Sequence, residues 1–148
     1  MNETLYQLWL EARTRFSNQL ATLADSDLKK KLGNSPNSVG FLIRHIADVE
    51  LLFAKNVFGL PDVRVLAKTV IEKKDTGEWT DLQSLLEYQN YACKALADAI
   101  KSQANWNETV TTKEFGTKTK PEALGRIISH TAYHAGQMAI ILKYGQID

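Results

Sequence analysis

The sequence predicts an all-α fold, a four-helix bundle with a long crossover between its second and third helices. Four long segments place their apolar residues at the roughly 3.6-residue spacing of one helix face. No segment of similar length shows the strict alternation of a half-buried strand. A connector of unusual length, residues 59–79, follows the second segment, and long connectors permit neighbouring helices to run parallel. At 148 residues the chain fits a single domain, residues 1–148.

The first two long helices are predicted from their apolar stripes and from the turn residues around them. The first helix covers residues 3–23, and a second short helical stretch follows it. Its stripe consists of Leu5, Leu8, Trp9, Ala12, Phe16, Leu20 and Leu23. The second long helix begins after Pro36, with Asn37 or Ser38 as its cap, and runs to about Phe58. Its buried face consists of Phe41, Leu42, His45, Val49, Leu52 and Phe53.

The last two long helices flank a segment rich in threonine. The third helix is predicted to open at Thr80 in a capping box with Gln83 and to end near Lys101. Its stripe consists of Leu82, Leu85, Leu86, Gln89, Ala92, Cys93, Leu96 and Ile100. Residues 105–120 are expected to form a loop or a short β-hairpin. The fourth helix covers residues 121–144, and proline suits its first position. Its stripe consists of Leu124, Ile127, His130, Thr131, His134, Met138, Ile141 and Leu142.

Charge and composition exclude several classes of protein. The chain has 18 Lys and Arg against 17 Asp and Glu, so it lacks the basic excess of a nucleic-acid-binding protein. No uninterrupted run of about 18 apolar residues predicts a membrane span, and Met1 leads directly into an amphipathic pattern without a secretory signal. The lone Cys93 suits a reducing compartment. We therefore expect a cytoplasmic protein that binds neither nucleic acid nor membrane.

The three histidines form the most informative pattern in the chain. His130 and His134 are four residues apart, and side chains at this spacing project from the same helix face about 6 Å apart. His45 lies on the apolar stripe of the second long helix. One imidazole from a facing helix would complete a three-nitrogen metal site. Such a site leaves coordination positions open for water or substrate.

The alternative for each histidine is an ordinary place in the core. A single buried histidine is more often a hydrogen-bonded core residue than a metal ligand. Three unrelated buried imidazoles, however, would need three separate partners, whereas one divalent cation satisfies a nitrogen on each of them. The ligand type does not choose among zinc, nickel, iron and copper. Because imidazole binds a cation only when neutral, we expect the ion to be released below a pH of about 6.

Residues near the histidines suggest what the site contains besides its ligands. Zinc proteases of the H-E-x-x-H type have a general-base glutamate where this chain has Thr131, so peptide hydrolysis by that mechanism is not expected. Asp48 follows His45 by three residues and is a candidate to orient that imidazole or a metal-bound water. A plain surface or salt-bridge role for Asp48 is equally open. Glu50 points away from the His45 face and is left out of the site.

Two further residues are candidates to bind a cofactor or substrate. Gln89 lies on the buried stripe of the third long helix and is predicted to hydrogen-bond a ligand. Tyr133 is predicted to line a pocket, although packing on a neighbouring helix explains its position as well. Cys93 is interpreted as a core residue rather than as a reactive thiol.

Two stretches of the sequence resemble a known family. Residues 38–50 (SVGFLIRHIADVE) and residues 130–137 (HTAYHAGQ) are similar to the DinB/YfiT family, and the resemblance extends over nearly the whole chain. It implies a four-helix bundle with a long crossover. It also implies a divalent metal ion bound by one histidine of the second long helix and an H-x-x-x-H pair of the fourth. These ligands fall on His45, His130 and His134. The sequence departs from the family at Ala135, where many relatives have arginine.

The resemblance also implies a range of activities. Characterised relatives include transferases that join low-molecular-weight thiols to electrophiles, and a thiol-dependent isomerase. We therefore expect a metal-dependent thiol S-transferase, or a related hydrolase, that acts on a small molecule. The expected metal is zinc or nickel, with iron or manganese as alternatives, and a low-molecular-weight thiol is the expected co-substrate. Family habit suggests a homodimer. The alternative is a non-catalytic, metal-stabilised bundle that binds a partner protein or has a structural role.

Overall fold

The structure is a computed structural model that describes residues 1–147. It is mostly helical and contains one small antiparallel hairpin, so the predicted fold class is confirmed. The helices are α1 (Asn2–Ala12), α2 (Thr14–Thr22), α3 (Val39–Leu52), α4 (Lys68–Glu72), α5 (Leu82–Lys101) and α6 (Lys120–Tyr144). The hairpin strands are β1 (Thr109–Thr112) and β2 (Gly116–Thr119). No helix within residues 1–147 is long and apolar enough to cross a membrane.

The first predicted helix is divided at Arg13, between α1 and α2. Arg13 has backbone angles in the helical region, with φ of −86° and ψ of −7°, and backbone hydrogen bonds continue across it, so the chain keeps its helical path from α1 into α2. The side chain of Arg13 is buried and pairs with Glu50 of α3. After α2, the predicted short helical stretch is a single 3₁₀ turn, Asp25–Asp27.

The second long helix, α3, begins and ends where the sequence predicts. Ser38 is its cap, and the hydroxyl oxygen of Ser38 accepts a hydrogen bond of 3.1 Å from the backbone N–H of Phe41. The helix continues beyond Leu52 as one π-helical turn, Phe53–Val57, and ends at Phe58. Ten of the fourteen residues of α3 are buried, which makes it the central helix of the bundle.

Side chains cap the N-termini of the last two long helices, α5 and α6. The cap of α5 is Asp81, whose carboxylate accepts a 3.0 Å hydrogen bond from the backbone N–H of Ser84. The predicted capping box at Thr80 is therefore wrong, because the carboxylate one residue later takes the exposed N–H group. Helix α6 begins with a capping box between Thr119 and Glu122. It continues to Tyr144, as predicted.

The long crossover makes α3 and α5 run in the same direction. Near the start of both helices, the side chain of Gln89 donates to the carbonyl of Ile43. Near their ends, the side chain of Gln103 donates to the carbonyl of Phe58. Helix α6 runs against α3, because its last turns pack on the first turns of α3. The chain within the crossover forms α4, which the sequence pattern did not predict.

The apolar core consists of two clusters separated by a layer of buried polar side chains. One cluster includes Trp9, Leu51, Leu96, Ile100 and Ile127. The other includes Phe16, Leu42, Ile46, Met138 and Ile141. Between them, the guanidinium of Arg13 makes two hydrogen bonds of 3.0 Å to the carboxylate of Glu50 and also donates to the side-chain oxygen of Gln89. Arg13 is 4% exposed and Glu50 is fully buried, so water solvates neither charge well and each is neutralised by the other.

A glycine allows the end of the crossover to lie directly on α3. A Cβ atom at Gly40 would overlap the backbone carbonyl of Trp79. The crossover therefore approaches α3 at a distance that only glycine permits. This contact holds the segment before α5 against the first turn of the helix that carries His45.

We expect Gly40→Ala to lower the free energy of unfolding by about 1–3 kcal/mol, since the added methyl group must displace the backbone of Trp79. Gly125→Ala is the matched control, because it lies within α6 and no atom stands within 4 Å of its added Cβ. The control should raise the free energy of unfolding by up to about 1 kcal/mol through helix propensity. Denaturant unfolding measures both. Equal stability of Gly40→Ala and the parent would refute the close approach.

We expect Glu50→Leu to lower the free energy of unfolding by about 3–5 kcal/mol, because it leaves the buried guanidinium of Arg13 without its counter-charge. The double variant Arg13→Met/Glu50→Leu removes both charges and should recover most of this loss. Denaturant unfolding of the two single variants and the double variant gives the coupling energy. A double variant no more stable than Glu50→Leu would show that the pair is not the source of the effect.

Candidate metal centre

Helices α3 and α6 bring the three histidines to one place. His45 lies in the second turn of α3, and His130 and His134 lie one turn apart on the face of α6 that packs against α3. Because α6 is capped at Thr119 and α3 at Ser38, both helices are already regular where their histidines occur. The sequence distance from His45 to His130 is 85 residues, so only the tertiary fold joins them.

The imidazole nitrogens of these residues are close enough to share one ion. One nitrogen from each ring lies within 4.8 Å of the others, which is a group that can hold a metal ion. The Nε2 atoms of His45 and His130 are 3.2 Å apart. The ring centroids of His130 and His134 are 4.5 Å apart, and each is 4.9–5.0 Å from the centroid of His45. The structure therefore brings together the three residues that the sequence pattern singled out.

Hydrogen bonds on the outer side of two rings determine which nitrogen faces inward. The Nδ1 atom of His134 is 2.7 Å from Oε1 of Gln137, an amide oxygen that can only accept. The Nδ1 atom of His45 is 3.1 Å from the hydroxyl oxygen of Thr69. With the proton on Nδ1, each ring keeps an unprotonated Nε2, which is the form that binds a metal ion.

The donor set fits a divalent cation better than it fits a network of hydrogen bonds. A proton on Nε2 of His130 can make a hydrogen bond to Nε2 of His45, but the same proton cannot also be donated to His134. A single cation would be coordinated by one nitrogen lone pair from each of the three imidazoles. Two nitrogens at the usual 2.0–2.1 Å from a tetrahedral zinc ion lie about 3.3 Å apart, close to the separation seen between His45 and His130. The Nδ1 atom of His130 is buried and has no hydrogen-bond partner within residues 1–147.

Comparison with known families agrees with this geometry. Residues 8–138 match the sequence profile of the DinB superfamily, and the matched region contains all three histidines. The chain belongs to the DinB superfamily. The family resemblance predicted from the two sequence motifs is thus confirmed. No individual curated protein matches the chain.

Burial keeps the histidines of this DinB chain neutral. The pKa of His45 is lowered to about 4, mainly by burial and then by the nearby His134, against an opposing effect of Asp48. The pKa of His130 is lowered to about 3 by burial and by the other two imidazoles. Burial also lowers the pKa of His134, although its hydrogen bond to Gln137 opposes the change. At neutral pH all three lone pairs are available, and loss of a bound cation should require a pH below the value of about 6 expected for unperturbed imidazole.

Asp48 lies near the histidines, but within residues 1–147 it makes no hydrogen bond to them. It is fully buried, and its two oxygens accept four hydrogen bonds. The donors are the side chains of Arg44 and Tyr88 and both the backbone N–H and the hydroxyl of Thr69. Hydrogen bonds therefore connect Asp48 to His45 through Thr69, and the ion pair of Asp48 with Arg44 is internal to the protein rather than a surface feature.

The other predicted binding residues lie in different places. Gln89 belongs to the buried layer with Arg13 and Glu50, where both ends of its amide are hydrogen-bonded. The structure therefore does not place Gln89 among the histidines. Tyr133 does lie at the site, because its exposed ring stands edge-on to His134 with centroids 5.2 Å apart. Cys93 is half-buried against the core, and burial raises the pKa of its thiol.

The sequence pattern missed two residues that contact the histidines. Gln137 follows His134 by three residues, so helical spacing alone identifies it as a neighbour of that ring. Thr69 lies in the crossover, where no periodic pattern predicts its position. The sequence pattern also missed the pair of Arg13 and Glu50. A glutamate between Val49 and Leu51, in an otherwise apolar stretch, was the available signal for a buried charge.

The metal-free protein should lose stability as the pH falls from about 6.5 toward about 4. In the unfolded chain histidine binds a proton near pH 6.5, whereas in the folded chain His45 and His130 bind theirs at about 4 and about 3. Between these values the unfolded state holds more protons, so the free energy of unfolding falls by up to about 1.4 kcal/mol per pH unit for each such histidine. Denaturant unfolding in the presence of a chelator measures this slope. His130→Gln should flatten it, and identical slopes for variant and parent would contradict the assignment.

Proposed function

We propose that the protein is a divalent-metal-dependent enzyme that transfers a low-molecular-weight thiol to a small electrophile. His45, His130 and His134 would hold the ion, with zinc or nickel as the expected metal. The observation that carries the proposal is the convergence of three neutral imidazoles, within 4.8 Å, in a chain of the DinB superfamily. Three protein ligands leave coordination positions for a small molecule.

Access to the site supports a catalytic ion over a purely structural one. All three histidines are half-buried rather than enclosed, and the exposed Tyr133 stands beside His134. Each histidine is thus partly exposed to solvent, which supports access of a small molecule to the imidazoles. Structural zinc sites, in contrast, use four protein ligands and are closed.

The side chains around the histidines favour a thiol nucleophile brought by the substrate. Thr131 occupies the position of the protease general base, and its buried hydroxyl has no partner within residues 1–147. The carboxylate of Asp48 is occupied by four donors. Cys93 lies against the apolar core rather than beside the histidines, and burial raises the pKa of its thiol, so it holds its proton at neutral pH. None of these three side chains is thus a free base or an activated nucleophile.

A divalent cation would supply what the site lacks, because it lowers the pKa of a coordinated thiol and yields thiolate at neutral pH. The chain's own contribution is to orient the ligands. Thr69 and Gln137 hold the outer nitrogens of His45 and His134, so that their inner nitrogens face one point. Phe41 stacks parallel to the His45 ring at 5.8 Å and limits the movement of that ring.

Untagged protein loaded with zinc or nickel should bind one ion per chain and accelerate the loss of a small thiol in the presence of an aryl-halide electrophile. His45→Ala should abolish stoichiometric binding and the acceleration together, because it removes the ligand from α3. Lys94→Ala, on the exposed face of α5, is the control and should change neither. Elemental analysis and a thiol-specific colour reaction measure the two properties.

Other outcomes would refute part of this proposal. Full metal occupancy in His45→Ala would remove that residue from the ligand set. Metal binding without acceleration by any thiol would refute the transferase. If saturation at about a hundredfold above Kd then adds only the roughly 2.7 kcal/mol of stability expected from binding, the non-catalytic bundle is the better description. Metal-dependent cleavage of an ester in place of thiol loss would identify a hydrolase.

A further inference from the structure

The crossover helix α4 places one polar side chain against the metal centre. Thr69 is 2% exposed, whereas Leu66 and Ile71 on either side of it are largely exposed. Both residues that flank α4, Ala67 and Lys73, have left-handed backbone angles, with φ of 52° and 58°. Such angles are unfavourable for residues other than glycine, so tertiary contacts must hold this five-residue helix in place.

The contacts of Thr69 are with Asp48 and His45. The hydroxyl of Thr69 donates to Oδ2 of Asp48 at 2.6 Å, and the backbone N–H of Thr69 donates to the same oxygen at 3.1 Å. Arg44 and Tyr88 donate to the other oxygen of Asp48, at 3.2 Å and 2.6 Å. With this many donors around it, the carboxylate acts only as an acceptor.

The direction of this hydrogen bond determines the protonation of His45. Because the hydroxyl proton of Thr69 points to Asp48, its oxygen can only accept from Nδ1 of His45, which lies 3.1 Å away. His45 then carries its proton on Nδ1 and presents the lone pair of Nε2 to His130 and His134. The carboxylate acts on the imidazole through an intervening hydroxyl rather than by direct contact.

We infer that Thr69 is a positioning residue for the metal centre. Its hydroxyl donates to Asp48 and accepts from Nδ1 of His45, and this fixes the tautomer and the ring orientation of His45. This inference rests on metal binding by the three histidines, and it does not depend on the thiol-transfer reaction. A merely structural role would tie α4 to α3 through Asp48 and would leave the imidazole unaffected. Partners of this kind around a metal ligand typically change metal affinity by about 10–100-fold.

Thr69→Val keeps the shape of the side chain and removes the hydroxyl, and Thr69→Ser keeps the hydroxyl. Thr76→Val is the matched control, because Thr76 lies in the same crossover and donates its hydroxyl to the carboxylate of Glu78, away from any histidine contact. Zinc affinity, measured by competition with a chromophoric chelator, should fall about 10–100-fold in Thr69→Val. It should be largely restored in Thr69→Ser and unchanged in Thr76→Val.

A second measurement reports on the metal-free proteins. Long-range ¹H–¹⁵N correlation spectra of the histidine rings should show His45 protonated at Nδ1 in the parent and in Thr69→Ser, and a mixture of tautomers in Thr69→Val. Far-UV circular dichroism confirms that each variant is folded. Parental zinc affinity together with an unchanged His45 tautomer in folded Thr69→Val would overturn the inference. Absence of zinc binding by the parent would overturn the metal part, whereas failure of the transferase assay alone would not.

Discussion

The rest of the structure depends on two buried carboxylates of α3, which need hydrogen-bond donors and positive charge around them. Asp48 and Glu50 are both fully buried, and they leave the helix in different directions. Glu50 pairs with Arg13, the residue between α1 and α2, whereas Asp48 accepts hydrogen bonds from Thr69 of α4 and Tyr88 of α5. An uncompensated buried charge costs several kcal/mol, so only one rotation of α3 about its axis is acceptable. That rotation turns His45 toward α6.

The polar layer and the candidate metal centre are therefore parts of the same arrangement. The layer of Arg13, Glu50 and Gln89 lies between two apolar clusters, and its hydrogen bonds join Arg13 to α3 and α5. The histidines belong to a second polar region, on the side of α3 that faces α6 and the crossover. In both regions a side chain from another part of the sequence donates hydrogen bonds to a buried carboxylate of α3: Arg13 donates to Glu50, and Thr69 donates to Asp48.

Residues within one helix were predictable, and contacts between helices mostly were not. The apolar stripes and the cap at Ser38 identified α3, and the spacing of His130 and His134 identified a shared face of α6. Their meeting with His45 was predicted from the chemistry that three buried imidazoles require. The cap of α5 was misassigned, because two adjacent residues can both cap and only packing selects Asp81. Thr69 could not be predicted, since its position follows from the path of the crossover.

The placement of two histidines on one helix and of the third 85 residues earlier has a consequence for how the chain matures. His130 and His134 become neighbours as soon as a turn of α6 forms, whereas His45 joins them only after the crossover has closed its loop. The pair on α6 therefore needs only local structure, whereas the third ligand needs the folded bundle. An ion bound by all three residues would therefore stabilise the docking of α3 on α6, so its binding energy would count directly toward the folding of the bundle.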